Sequence, residues 1–191
     1  MRKLISAMKM SLDGMIAGPD GQDADWVTGW SDDYGLTPRI DACVLGGGMY
    51  PDYEEYWTAI HDAPDQVTPL NRLATQGEVA WARFAAHTPH YVVSRTLTSA
   101  RWPNTSFLRS TEEVAALKKQ SGKDIYLVGG AELVASMIDA GLVDELRLLV
   151  YPLVAGAGKP LFATSEKRSA FVLQEARPLT DGRASLAYIR A

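Results

Sequence analysis

Four short stretches of the chain carry residues suited to holding a charged ligand. They are Gly46-Gly47-Gly48-Met49, Ser94-Arg95-Thr96, Gly129-Gly130-Ala131-Glu132-Leu133, and the glycine-bearing segment from Ser11 to Trp26. The chemistry would be phosphate binding. Glycine lets the main chain approach phosphate oxygens, and the unpaired N–H groups at a helix start favour an anion. Arg95 offers a planar fork of donors, which the Ser94 and Thr96 hydroxyls can supplement. Each stretch also has a plain structural account, since glycines after strands often serve only as turns and "SRTL" suits a surface loop. All four directly follow apolar runs, however, and ligands of open α/β sheets bind at the carboxyl ends of strands. "GGGMY" is not GxGxxG, and "GAGKP" (Gly156 to Pro160) lacks the Ser or Thr of a phosphate-binding NTPase loop.

Strands and helices must position these stretches. Short apolar runs predict strands over Leu4 to Met10, Ala42 to Leu45, Tyr91 to Ser94, Ile125 to Val128, Glu145 to Val150, Phe171 to Ala176 and Ser185 to Arg190. Asp181-Gly182 predicts a hairpin joining the last two. "AELVASMIDAG" aligns Leu133, Val134, Met137 and Ile138 on one helical face, and Gly141 ends it. "STEEVAALKKQSG" opens with a capping-box spacing, Ser110 to Glu113. Further helices are expected over Glu78 to Ala86 and Pro51 to Ile60. Strands alternating with helices imply an α/β fold: a twisted, mostly parallel sheet flanked by helices, with an antiparallel C-terminal hairpin at its edge.

A chain of 191 residues, 47% hydrophobic and 22% charged, suits one domain spanning 1–191. Nineteen basic against 23 acidic side chains, a net charge of -4, lack the basic footprint of a nucleic-acid binder. The lone cysteine, Cys43, reads as a small buried hydrophobe, and no Cys/His cluster suggests a metal. No run approaches the ~20 apolar residues of a membrane span, and the N-terminus lacks a signal-peptide core, so a cytoplasmic protein is expected.

The stretches "SLDGMIAGPDG", "DWVTG", "YVVSRTLT", "IYLVGGAELV" and "GLVDELRLLVYPLVAGAGKPLF" resemble the dihydrofolate reductase-like superfamily, most closely stand-alone relatives of the reductase domain of the bifunctional riboflavin-biosynthesis deaminase/reductase. That resemblance implies an NADPH-dependent oxidoreductase acting on a pterin, pyrimidine or related substrate. It implies that Ile16 and Ala17 border the nicotinamide and that Gly46, Gly47, Gly48 and Met49 meet the phosphate region. Ser94, Arg95 and Thr96 would receive the 2′-phosphate, and Val128, Gly129, Gly130, Ala131, Glu132 and Leu133 the pyrophosphate. It further implies a cis peptide between Gly129 and Gly130, and a homodimer. The family's usual pattern has an Arg after the first glycine and a hydroxyl residue two further on, where this chain has Gly47 and Met49.

On the substrate side the resemblance points to Trp26 and Thr28, with Asp32 at the place of the acid in folate-reducing members. A carboxyl against an apolar pocket can hold a raised pKa and deliver a proton. Asp32 can equally cap a helix start. Asp13 is either a turn residue or a substrate contact. Tyr50, Tyr53, Tyr56 and Trp57 form an aromatic cluster suited to core or interface packing, with Tyr50 the member best placed to reach a ligand. "VDELRLLVYPLVAG" and this cluster are the expected apolar surfaces of the dimer. The alternative to a reductase is a non-catalytic nucleotide- or pterin-binding module on the same fold, which Gly47 and Met49 favour.

Overall fold

The computed structural model describes residues 1–19, 24–27, 29–30 and 34–191. In chain order its elements are β1 (Leu4–Ser11), β2 (Met15–Ala17), β3 (Ile40–Gly46), α1 (Tyr50–Asp62), α2 (Gln76–His87), β4 (His90–Val93), β5 (Thr105–Leu108), α3 (Thr111–Lys119), β6 (Asp124–Gly129), α4 (Ala131–Asp139), β7 (Glu145–Tyr151), β8 (Lys159–Pro160), β9 (Phe171–Pro178) and β10 (Ala184–Arg190). Eight strands form one sheet in the order β5-β4-β3-β6-β1-β7-β10-β9. The first six in that order pair in parallel, and β10 and β9 add antiparallel. β2 and β8 make a separate two-stranded sheet.

A sheet covered on both faces needs strands that are apolar on both sides. β1 meets this need. Ile5 and Ala7 join Cys43, Leu45, Val92 and the aromatic residues of α1 and α2 on one face. Leu4 joins Ala42, Val44, Ile125, Val134 and Met137 on the other. Truncating a fully buried side chain such as Met137 to Ala costs about 2–5 kcal/mol. No helix among the described residues is long and apolar enough to cross a membrane.

The seven expected strands all form, with ends shifted by one or two residues. The shift matters at β4, which stops at Val93 and frees Ser94 for the following turn. Gly182 (φ 81°) makes the β9–β10 hairpin, closed by Leu179 N–H on the Arg183 carbonyl at 2.8 Å. Gly141 (φ 73°) ends α4 as expected, and Cys43 is buried. The capping box is a correction. Ser110 is the N-cap of α3, but its side chain makes no cap bond, and Glu113 Oε2 accepts from the Arg109 N–H instead (2.6 Å). The box forms at α2, where Thr75 and Glu78 cap each other. Tyr50 is a second correction. It is 1% exposed, its hydroxyl donates to Glu54 (2.9 Å) and meets Thr105 Oγ1 (2.7 Å), and it therefore belongs to the core. The expected dimer surfaces are corrected in part, since Val154 at the end of the first stretch is 70% exposed. β7 lies inside the sheet between β1 and β10, and Tyr50, Tyr53 and Trp57 are buried within the protomer.

Candidate cofactor and substrate site

Parallel pairing brings the carboxyl ends of β4, β3 and β6 side by side, and each end carries one of the expected phosphate-binding stretches. Leu45 pairs with Gly129, and Gly46 with Val93. Beyond the strands the loops stay in contact. The Gly47 N–H donates to the Val93 carbonyl (3.0 Å). A Cβ on Gly46 would lie 3.5 Å from the Gly130 nitrogen, and one on Gly47 would lie 2.5 Å from the Ser94 Cβ. The structure thus gathers Gly46, Gly47, Ser94, Gly129 and Gly130 in one place.

Gly129 and Gly130 are joined by a cis peptide. Gly129 has φ 140°, a conformation that side chains rarely adopt, and the Sδ of Met49 would lie 3.4 Å from a Cβ there. Met49 therefore fills the space beneath the glycine turn. Gly130 is the N-cap of α4 and has no side chain to cap it. The first helical bond is Val134 N–H to the Gly130 carbonyl (3.0 Å), so the N–H groups of Ala131, Glu132 and Leu133 precede the ladder. No atom lies within 4 Å of where a Cβ on Gly48 or Gly130 would sit. Val128 packs against the α1/α2 side of the core. Glu132 is exposed, with Lys159 Nζ 3.8 Å from its carboxylate.

At β4, Ser94 Oγ accepts from the N–H groups of Thr96 (3.3 Å) and Leu97 (3.0 Å), closing a tight turn. Arg95 and Thr96 are exposed on that turn.

Next to β6 in the sheet, β1 leads into Ile16 and Ala17. Ile16 packs on the apolar cluster that includes Ala131, the first residue of α4, and Leu161. Three devices fix it. β2 pairs with β8. Gly158 (φ 146°) brings its backbone so close that a Cβ would lie 2.1 Å from the Ala17 carbonyl oxygen. Asp13 accepts from the N–H groups of Ala155 (3.0 Å) and Gly156 (2.8 Å) and from Ser11 Oγ (2.6 Å). The Ser11 bond first, then the two N–H groups, holds the Asp13 carboxyl down at about 2. Of the two sequence readings of Asp13, the geometry gives the turn: the carboxylate latches one loop to another.

On the substrate side, Thr28 and Asp32 lie outside the described residues. Trp26 is half-buried against the α1/α2 core, and its indole Nε1 is buried with no hydrogen-bond partner among the described residues. Two residues that sequence reasoning passed over hold this loop. Lys9, buried on β1, donates to the Gly29 carbonyl (2.6 Å) and lies 5.2 Å from the Trp30 ring centroid. Glu78, fully buried, accepts from the Trp30 N–H (3.2 Å), Tyr56 hydroxyl (3.0 Å), Thr75 N–H (2.8 Å) and Arg72 (2.7 Å). Burial, its largest single influence, pushes the Glu78 pKa up, but these donors together overrule it and leave it at about 2. Lys9 interrupts an apolar strand, and that anomaly was the available signal for it.

Known proteins resemble this chain in sequence and in fold. The uncharacterized protein YyaP of Bacillus subtilis (strain 168) is 34% identical over 98% of this chain and 94% of its own. The crystal structure of a candidate riboflavin biosynthesis protein from Shewanella sp. PV-4 superposes with a TM-score of 0.69 at 19% identity, covering 100% of this chain and 99% of that one. A diaminohydroxyphosphoribosylaminopyrimidine deaminase/5-amino-6-(5-phosphoribosylamino)uracil reductase from Thermotoga maritima gives 0.61 at 16% identity, and this chain covers 57% of it. The likeness to these solved structures shows the fold. The description "RibD C-terminal domain" matches residues 2–184, the whole span from β1 into β10, and the chain belongs to that family.

Proposed function

We propose that the protein is an NADPH-dependent reductase that transfers a hydride to a pterin, pyrimidine or related substrate. The observation that carries this reading is the order of the strand ends. Along β4-β3-β6-β1 lie, in turn, an exposed arginine with a hydroxyl neighbour, a glycine run, an uncapped helix start and an apolar strand. That is the order of a 2′-phosphate, a pyrophosphate and a nicotinamide ring. Three inter-strand steps span about 14 Å, the scale of an extended dinucleotide. The open space at Gly48 and Gly130 fits phosphate oxygens.

In this arrangement Arg95 and Thr96 bind the 2′-phosphate. The N–H groups of Ala131, Glu132 and Leu133 receive the pyrophosphate. Ile16 and Ala17 form an apolar wall that orients the ring and excludes water, and the Asp13 latch holds that wall in place. Bound there, NADPH supplies the hydride. On the acceptor side, Trp30 is held by Glu78 and Lys9, and Trp26 packs against the α1/α2 core.

A second reading, a binding module without turnover, rests on Gly47 and Met49, which remove two side-chain phosphate ligands of the family pattern. One experiment separates the two. NADPH and NADH are titrated by protein fluorescence, and NADPH oxidation is followed against a panel of pterins and pyrimidine intermediates. Tighter binding of NADPH with oxidation on one acceptor is the expected result. Binding without oxidation on any acceptor supports the module. Arg95→Ala is expected to lose roughly 1.5–3 kcal/mol of NADPH affinity. An unchanged NADPH/NADH ratio in that variant removes Arg95 from the site.

A further inference from the structure

The turn after β4 is held from behind by a residue that no motif marks. Arg109 follows the carboxyl end of β5, which pairs with β4 through Val93 and Leu108. Its Nη1 donates to the carbonyl oxygens of Ser94 (2.5 Å) and Leu97 (2.8 Å). Those carbonyls are the two ends of the turn that Ser94 Oγ closes from within. The guanidinium also lies 5.8 Å from the Phe107 ring centroid. At its base, the Arg109 N–H is fixed on Glu113 (2.6 Å), the bond that displaces the expected capping box. The residue is thus anchored through its main-chain N–H and its Nη1, and its Nε and Nη2 have no partner among the described residues.

A planar fork with a fixed charge suits two convergent carbonyls. Without it, the Ser94–Leu97 turn would keep the two hydroxyl bonds inside it and the Ser94 N–H bond to the Leu108 carbonyl (3.0 Å), and nothing would hold its Leu97 end from outside. Binding would then have to order the turn as well as contact it, and ordering is a cost charged to affinity. We propose that Arg109 is a positioning residue for the 2′-phosphate end of the dinucleotide. It holds the turn in the form that presents Arg95 and Thr96, and it brings a second positive charge to the same turn. This rests on the NADPH reading above.

The test uses the full chain and direct binding, so it needs no substrate. NADPH and NADH dissociation constants are measured by fluorescence for the wild type, Arg109→Met and Arg109→Lys, with circular dichroism to confirm folding. Arg109→Met is expected to weaken NADPH about tenfold, or 1.4 kcal/mol, and to leave NADH within about twofold. Arg109→Lys, which keeps the charge and can still donate to a carbonyl, is expected to recover part of the loss. Equal weakening of both nucleotides overturns the inference, because it signals general loosening. So does a wild-type NADPH preference that survives in Arg109→Met. Should Arg109→Met fail to fold, an unchanged NADPH/NADH ratio in Arg109→Lys overturns it. A wild type that binds NADPH no better than NADH sinks the cofactor reading and this inference with it.

Discussion

Gly47 and Ser94 approach so closely that a Cβ at position 47 would lie 2.5 Å from the Ser94 Cβ and 2.6 Å from its Oγ. The space that the family's arginine would need at its first carbon is already taken by the phosphate-side turn. Gly47→Arg is therefore expected to destabilise the fold by about 1–3 kcal/mol, the usual cost of overpacking, and to weaken NADPH binding. Combining it with Ser94→Gly should recover part of the stability. Denaturant unfolding of the single and double variants checks this. A Gly47→Arg protein as stable as wild type would show that the turn yields freely.

Asp13 makes a prediction that can be read amide by amide. Its carboxylate takes the N–H groups of Ala155 and Gly156. Asp13→Ala should abolish hydrogen-exchange protection at those two amides and leave α1 and α2 unaffected. Cofactor binding should weaken, because β2 loses one of its anchors. Retained protection at Ala155 and Gly156 would mean that β8 pairing and Gly158 hold the loop unaided.

Glu78 sets a pH dependence. Its carboxyl titrates at about 2 in the fold against an ordinary 4.5. A lowered folded pKa adds stability that is complete above the ordinary value and disappears as pH falls from 4.5 toward 2. The size is about 3 kcal/mol. Glu78→Gln should flatten the stability-pH curve over that window, measured by urea unfolding. A curve as steep as wild type would assign the acid sensitivity to other carboxylates.

Assembly is the fourth expectation. The sheet ends at β9, where Val172 (48% exposed) and Leu173 (50% exposed) face solvent. A long unpaired edge with exposed apolar residues is a candidate for burial between copies. We propose a two-fold homodimer through this edge. Sedimentation at micromolar concentration should give twice 20.8 kDa, and Val172→Lys with Leu173→Lys should give the monomer. A monomeric wild type would contradict the proposal.

Strands and glycine turns were legible because both have one-dimensional signals: apolar runs, and glycines where they stop. β5 was not, because "TSFL" is short and half polar at a sheet edge, and only its pairing with β4 makes it a strand. Ser110-x-x-Glu113 has the right spacing for a capping box, yet the Arg109 N–H takes the Glu113 carboxylate first. Tyr50 looked available for a ligand because the sequence does not reveal that Glu54, one turn on, and Thr105, on β5, claim its hydroxyl. Arg109 left no trace because it binds main-chain carbonyls, which every residue has. Thr28 and Asp32 lie outside the described residues.

The spatial order β4-β3-β6-β1 is not the order of synthesis. β3 must wait for β6, and Gly46 meets Gly130 only when two segments from distant parts of the chain have paired. Loop closure over such separations makes parallel pairing slow relative to local helix formation. A chain halted before Asp124 has β3 and β4 but no second wall for the phosphate groove. On the proposed cofactor reading, nucleotide affinity is expected to arise late in folding and nearly all at once, which would let bound NADPH report completion of the sheet in a refolding experiment.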